Sequence, residues 1–206
     1  MESNTNRGSE TDYTSSIKRG FARNPVLHTL TAMTVISVLS WSVPPTGVSD
    51  TFTASPPVGD PWYELLLANY SHLNAAHLFS NAVIIAIAGG IISISSTMLR
   101  FHVFFIVTGV VSTVAQVAFS NAFGYPIAVL GSSGAGFALM GYLLTSNPVS
   151  LPVLKIASRR VAALLLVLVG GVVTVMYSAP GSAVLSHFVG VLLGLVAGRF
   201  RLLKQQ

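Results

Sequence analysis

The chain has 206 residues, of which 52% are hydrophobic and only 8% are Asp, Glu, Lys or Arg; a soluble globular domain carries roughly 25% charged residues. With a mean hydropathy of +0.71, too few charges remain to coat a water-soluble globule. This excludes a cytosolic enzyme, a disordered protein and a nucleic-acid-binding domain as default readings and leaves a polytopic membrane protein whose first partner is the lipid bilayer. The absence of cysteine excludes a disulfide framework, a thiolate zinc site and a cysteine nucleophile.

In chain order, residues 1–23 form a polar cytoplasmic tail without apolar periodicity, expected to be disordered. Residues 24–206 then alternate apolar runs with short breaks, and a spanning helix needs about 20 mostly apolar residues. Spans are expected near 26–43, 76–98, 101–123, 132–147, 160–178 and 182–199. The first is longer than the h-region of a signal peptide and is expected to be retained. Pro44-Pro45 closes it, Asn147-Pro148 and Pro152 close the fourth, and Ala179-Pro180-Gly181 separates the fifth and sixth, because proline lacks an N–H and disfavours helix in the residue before it. The expected fold is an all-α polytopic bundle of six transmembrane helices.

The basic residues orient it. Arg7, Lys18, Arg19 and Arg23 precede the first span, and Arg100 lies between the second and third. Lys155, Arg159 and Arg160 lie between the fourth and fifth, and Arg199, Arg201 and Lys204 follow the sixth. The loops 44–75, 124–131 and 179–181 contain none. Positive residues stay on the cytoplasmic side, so both termini are expected inside, with Asp50, Asp60 and Glu64 outside.

Polar groups inside a bilayer are costly and are functional candidates by default. His28 and His102 lie at cytoplasmic span ends, where interfaces tolerate polar tips. His72 and His77 lie where the chain re-enters at the second span, and Asn81 follows His77 by one helical turn, on the same face. Ser133 opens the fourth span in Gly131-Ser132-Ser133-Gly134, and His187 lies in the outer third of the sixth. A lone serine in such a helix usually bonds a carbonyl one turn back. Here, however, three separate spans running outside to inside bring His77, Asn81, Ser133 and His187 to one depth.

Nucleophilic acyl transfer needs such a set. A serine hydroxyl is a weak nucleophile until a base takes its proton, and His187 is a suitable base. Helix-end N–H groups near Ser133, with His77 and Asn81 as side-chain donors, could stabilise an oxyanion. Gly131 and Gly134 permit a tight backbone around the nucleophile. No Asp or Glu lies in the second, fourth, fifth or sixth span, so the expected machinery is a Ser-His dyad with His187 oriented by packing. Phe137, four residues after Ser133, can stack on its imidazole. Gly190, Gly194 and Gly198 line one face of the sixth span and predict close helix packing.

These residues resemble the rhomboid intramembrane serine proteases. Gly131-Ser132-Ser133-Gly134 is similar to the family's G-x-S-G. His72 to Asn81 is similar to H-x-x-x-x-H-x-x-x-N, and Ser186-His187 through Gly190 and Gly194 is similar to A-H-x-x-G-x-x-x-G with Ser for Ala. The resemblance implies Ser133 as nucleophile and His187 as general base. It implies an oxyanion site of His77, Asn81 and the Ser133 backbone N–H, a structural or water-organising His72, and Gly190 and Gly194 as the residues that let the sixth span lie close to the fourth. Tyr63 and Glu64 stand where the family commonly has Trp-Arg, and Phe137 stands where it often has tyrosine.

The expected function is an intramembrane serine endopeptidase acting without a cofactor. It would cut single-span transmembrane protein substrates near the outer face, in the plasma membrane of a prokaryote, with the active site opening to the extracellular side. The alternatives are a catalytically silent rhomboid-like binder of membrane proteins and a small transporter or channel. No nucleotide-binding loop, metal cluster or nucleic-acid motif stands out.

Overall fold

A computed structural model describes residues 23–43 and 50–205. The polar tail with Arg7, Lys18 and Arg19, and the Pro44-Pro45 stop, lie outside the described residues. Four of the helices start at side-chain caps. Pro25 occupies the first turn of α1 (Pro25–Ser42), whose Asn24 cap accepts from the N–H groups of Val26 and Leu27. A short α2 (Tyr63–Ala68) precedes α3 (Ala75–Ser93), capped by Asn74, which accepts from His77 N. Thr97 caps α4 (Met98–Ala122) and Ser158 caps α7 (Arg159–Tyr177). Such caps satisfy N–H groups that have no partner within the helix. Between α4 and α7 lie α5 (Ser133–Ser146) and α6 (Ser150–Ile156), bent by 74° at Asn147-Pro148, and α8 (Val184–Arg199) closes the fold. Within α3 the turn Ile85–Gly89 is a π-helix, and Gly89 sits under Phe101 and Val26. Among the described residues the strand content is one antiparallel bridge, Ala54 to Val129.

Side-chain pairs set the helix directions. Ser37 reaches the ring of His72 while Val26 approaches Gly89, so α1 and α3 are antiparallel. Ser112 lies against Gly134 and Phe104 against Tyr142, so α4 and α5 are antiparallel as well. Along the α5–α8 seam Gly190 lies over Gly134, Gly194 over Ala138 and Gly198 over Tyr142, so these two helices are parallel. Gly170 packs on Leu192 and Phe188 while Ser178 meets His187, so α7 returns antiparallel to α8. The N-terminal ends of α3, α5 and α8 therefore share one end of the bundle with the C-terminal end of α7.

Burial departs from that of a soluble protein. Thr29, Ser37, Ser112, Thr113, Gln116, Thr145 and Thr174 are buried, whereas Ile94, Leu99, Val107, Leu168, Val172, Val175 and Met176 are exposed. Apolar surface on this scale is unstable against water and belongs against lipid. Among the described residues four helices, α1, α3, α4 and α7, are long and apolar enough to cross a membrane, and the bent α5–α6 pair can count as a fifth. At 1.5 Å per residue, the 14-residue α5 and 16-residue α8 are about 21 and 24 Å long. They fall short of a bilayer core of about 30 Å. Most of α5 is buried, and a helix surrounded by protein need not match the bilayer thickness.

Candidate active site

Ser133 is the first residue of α5 and His187 lies in the first turn of α8. Their separation depends on the glycine seam. Cβ atoms on Gly190 and Gly194 would overlap the backbone carbonyls of Gly134 and Ala138, so only glycine allows this approach. Thr145 Oγ1 donates to Leu195 O at 2.7 Å and fastens the far end of the seam. Gln116 of α4 accepts from the N–H groups of Leu185 and Ser186 at 3.1 and 3.2 Å and caps the turn that carries His187. With both helices fixed, Ser133 Oγ lies 2.9 Å from His187 Nε2.

Two groups hold the imidazole. The Phe137 ring stacks on it with centroids 4.2 Å apart and planes 5° from parallel. Ser178 Oγ lies 2.7 Å from Nδ1. Sequence reasoning passed over Ser178 although it is the last residue of the fifth predicted span, at the same depth as the other candidates. Gln116 was also missed, and its polarity inside an apolar span was the available signal.

His77, Asn81, Ser133, Phe137 and His187 line one cavity of about 400 Å³, bounded also by Ile127–Leu130 and by Ser182 and Ala183. Asn81 Nδ2 is buried without a hydrogen-bond partner. An unmet donor inside a cavity costs free energy unless a ligand or water accepts from it, so it suits an oxyanion. Gly131 has φ +118°, and a Cβ there would stand 2.8 Å from His77 Cε1. It is the glycine that the turn requires. Gly134, in contrast, is helical, and the space its missing side chain leaves serves Ser112 and Ser186.

His72 is not a cavity residue. It lies before α3, with its ring edge-on to His77 at 5.1 Å. Its Nδ1 is 3.0 Å from Ser37 Oγ and its Nε2 is 3.0 Å from Ser132 Oγ, while Trp41 Nε1 donates to its carbonyl at 2.7 Å. Burial, with a smaller push from neighbouring His77, holds the imidazole down to about 3. With both nitrogens engaged, it ties α1 to the residue before Ser133. Ahead of Ser133, Ala54 and Val129 exchange two 2.9 Å backbone bonds, and Gly131 N donates to Ala68 O at 2.8 Å. Glu64 is buried and Tyr63 exposed. His28 and His102 stack on each other at 5.9 Å, away from this cavity.

The fold and the exposed apolar helices define an integral membrane protein, with a serine and a histidine in contact at one end of its helical bundle. Residues 59–204 match the model of the Rhomboid domain, and the chain belongs to the rhomboid family. The match begins after α1, whose Ser37 and Trp41 nonetheless brace His72. No curated protein matches the chain.

Proposed function

We propose that this protein is an intramembrane serine endopeptidase that cleaves single-span membrane proteins. The observation that carries the reading is the 2.9 Å contact between Ser133 Oγ and His187 Nε2 inside a cavity that also holds His77 and Asn81. Ser133 Oγ attacks the scissile carbonyl carbon while His187 Nε2 takes the hydroxyl proton. The resulting oxyanion accepts from His77, from Asn81 Nδ2 and from the Ser133 backbone N–H. His187 then passes its proton to the departing amine nitrogen. A water, deprotonated by the same imidazole, hydrolyses the acyl-enzyme and restores Ser133.

A substrate peptide bond inside a helix is shielded by its hydrogen bonds. Substrates with small or helix-weakening residues near the cut are therefore favoured. In this reading six helices cross the bilayer with both termini cytoplasmic, the site opens to the extracellular side of a prokaryotic plasma membrane, and cleavage falls near the outer face. The six-helix alternation places Arg100, Lys155, Arg159, Arg160, Arg199, Arg201 and Lys204 together on the cytoplasmic side.

Purified wild-type protein in proteoliposomes is expected to cut a transmembrane reporter, with cut sites mapped by mass spectrometry near its outer end, and Ser133→Ala to abolish cleavage. Equal cleavage by Ser133→Ala would overturn the mechanism. Labelling of wild type but not Ser133→Ala by a fluorophosphonate separates a working protease from a silent binder.

A further inference from the structure

The Phe137 ring fixes the plane of the His187 imidazole but does not settle its orientation. A half-turn about the Cβ–Cγ bond keeps the plane and the stacking, yet exchanges Nε2 for Cε1 and Nδ1 for Cδ2. In one orientation Nε2 faces Ser133; in the other a carbon does, and no proton can be accepted. Something must also select the tautomer, because Nε2 is a base only when Nδ1 carries the ring hydrogen. Residues 65–206 contain no Asp or Glu, so no carboxylate from this part of the chain can do either job.

We infer that Ser178 is the positioning residue for His187, selecting both the ring orientation and the tautomer that make Nε2 the base; this rests on the protease reading above. Ser178 Oγ lies 2.7 Å from Nδ1, on the opposite side of the ring from Ser133 at 2.9 Å. With Nε2 accepting from Ser133, Nδ1–H donates to Ser178 Oγ. The reversed ring would turn a C–H toward that oxygen and lose the bond. Ser178 is itself anchored: it is the C-cap of α7, and its backbone N–H donates to Thr174 O at 3.0 Å. The turn that follows, with Gly181 at φ +77°, brings the chain back into α8. The base and its acceptor thus arrive from two different helices, α8 and α7. A hydroxyl carries no charge, so its contribution is orientation, and a neutral hydrogen bond sets the scale of the effect.

The test uses the full chain in proteoliposomes with a transmembrane reporter and the variants Ser178→Ala, Ser178→Val and Ser178→Thr. The expected result is a kcat lower by about tenfold in Ala and Val at unchanged KM. Thr, which keeps the hydroxyl and matches Val in shape, restores most of the rate. The rate of fluorophosphonate labelling at Ser133, measured on the folded fraction, falls by the same factor in Ala and Val, which guards against reading misfolding as mechanism. Wild-type kcat in Ser178→Ala, with cleavage still abolished by Ser133→Ala, overturns this inference alone, as does Thr being as impaired as Val. A wild-type protein that neither cleaves nor labels at Ser133 overturns the protease reading and this inference with it.

Discussion

Replacing Gly194 with alanine tests whether the glycine seam sets the Ser133–His187 distance. A Cβ on Gly194 would stand 2.8 Å from the carbonyl carbon of Ala138 and 2.9 Å from its Cα. Carbon atoms rest at about 3.5–4.0 Å, so α5 and α8 must part by at least about 0.7 Å. Backbone, unlike a flexible side-chain tip, cannot turn aside. If the helices separate as rigid rods, the 2.9 Å contact between Ser133 and His187 opens to about 3.6 Å, beyond the usual hydrogen-bond range. Overpacking of this kind costs about 1–3 kcal/mol, and a misplacement approaching 1 Å at the reacting atoms costs on the order of 100-fold in rate. The assays are reporter cleavage in proteoliposomes and thermal unfolding in detergent. Gly171→Ala is the control. Its Cβ would meet nothing within 4 Å, and its stability is expected to match wild type or exceed it by up to about 1 kcal/mol, the helix-propensity gain of alanine over glycine. Wild-type kcat and melting temperature in Gly194→Ala would refute the reasoning, since the seam would then be free to relax without moving the pair.

Gly131→Ala forces a side chain onto φ +118° and a Cβ to 3.0 Å from His77 Nε2; strain of about 1–3 kcal/mol and a displaced oxyanion donor should lower kcat by on the order of 100-fold, read by reporter cleavage. Phe137→Ala should lower both stability, by about 3–5 kcal/mol, and kcat, whereas Phe137→Tyr, which keeps a ring over His187, should retain more of each in melting and cleavage assays. His72, held down to about 3 by burial, binds its proton less readily in the folded chain than in the unfolded one, where a histidine titrates near 6.5. Stability is therefore full above about pH 6.5 and falls as the pH drops from there toward 3. Melting temperatures in detergent should show this slope, and it should be flatter in His72→Ala.

Much of the site was legible in the sequence because lipid makes polar residues conspicuous. His77, Asn81, Ser133 and His187 could be ranked by depth once the basic residues suggested which ends of the apolar runs lie together. Phe137 could be placed over His187 from helical spacing. Three features were not legible. Ser178 looked like an ordinary span end, because its partnership with His187 depends on the turn between α7 and α8. Gln116 reads as one polar residue in an apolar helix until the first turn of α8 is seen resting on it. His72 reads as structural or water-organising, and its two partners, Ser37 and Ser132, come from distant parts of the chain.

Composition and residue order alone determined that this chain belongs in a membrane and which residues are candidates for chemistry. Those properties are local: they follow from the solvation of each side chain and the missing N–H of proline. Which helices are short and screened from lipid, how closely α5 and α8 approach, and which hydroxyl meets each histidine nitrogen were decided only by the tertiary structure. These depend on contacts between residues far apart in the chain, and no single segment encodes a distance to another.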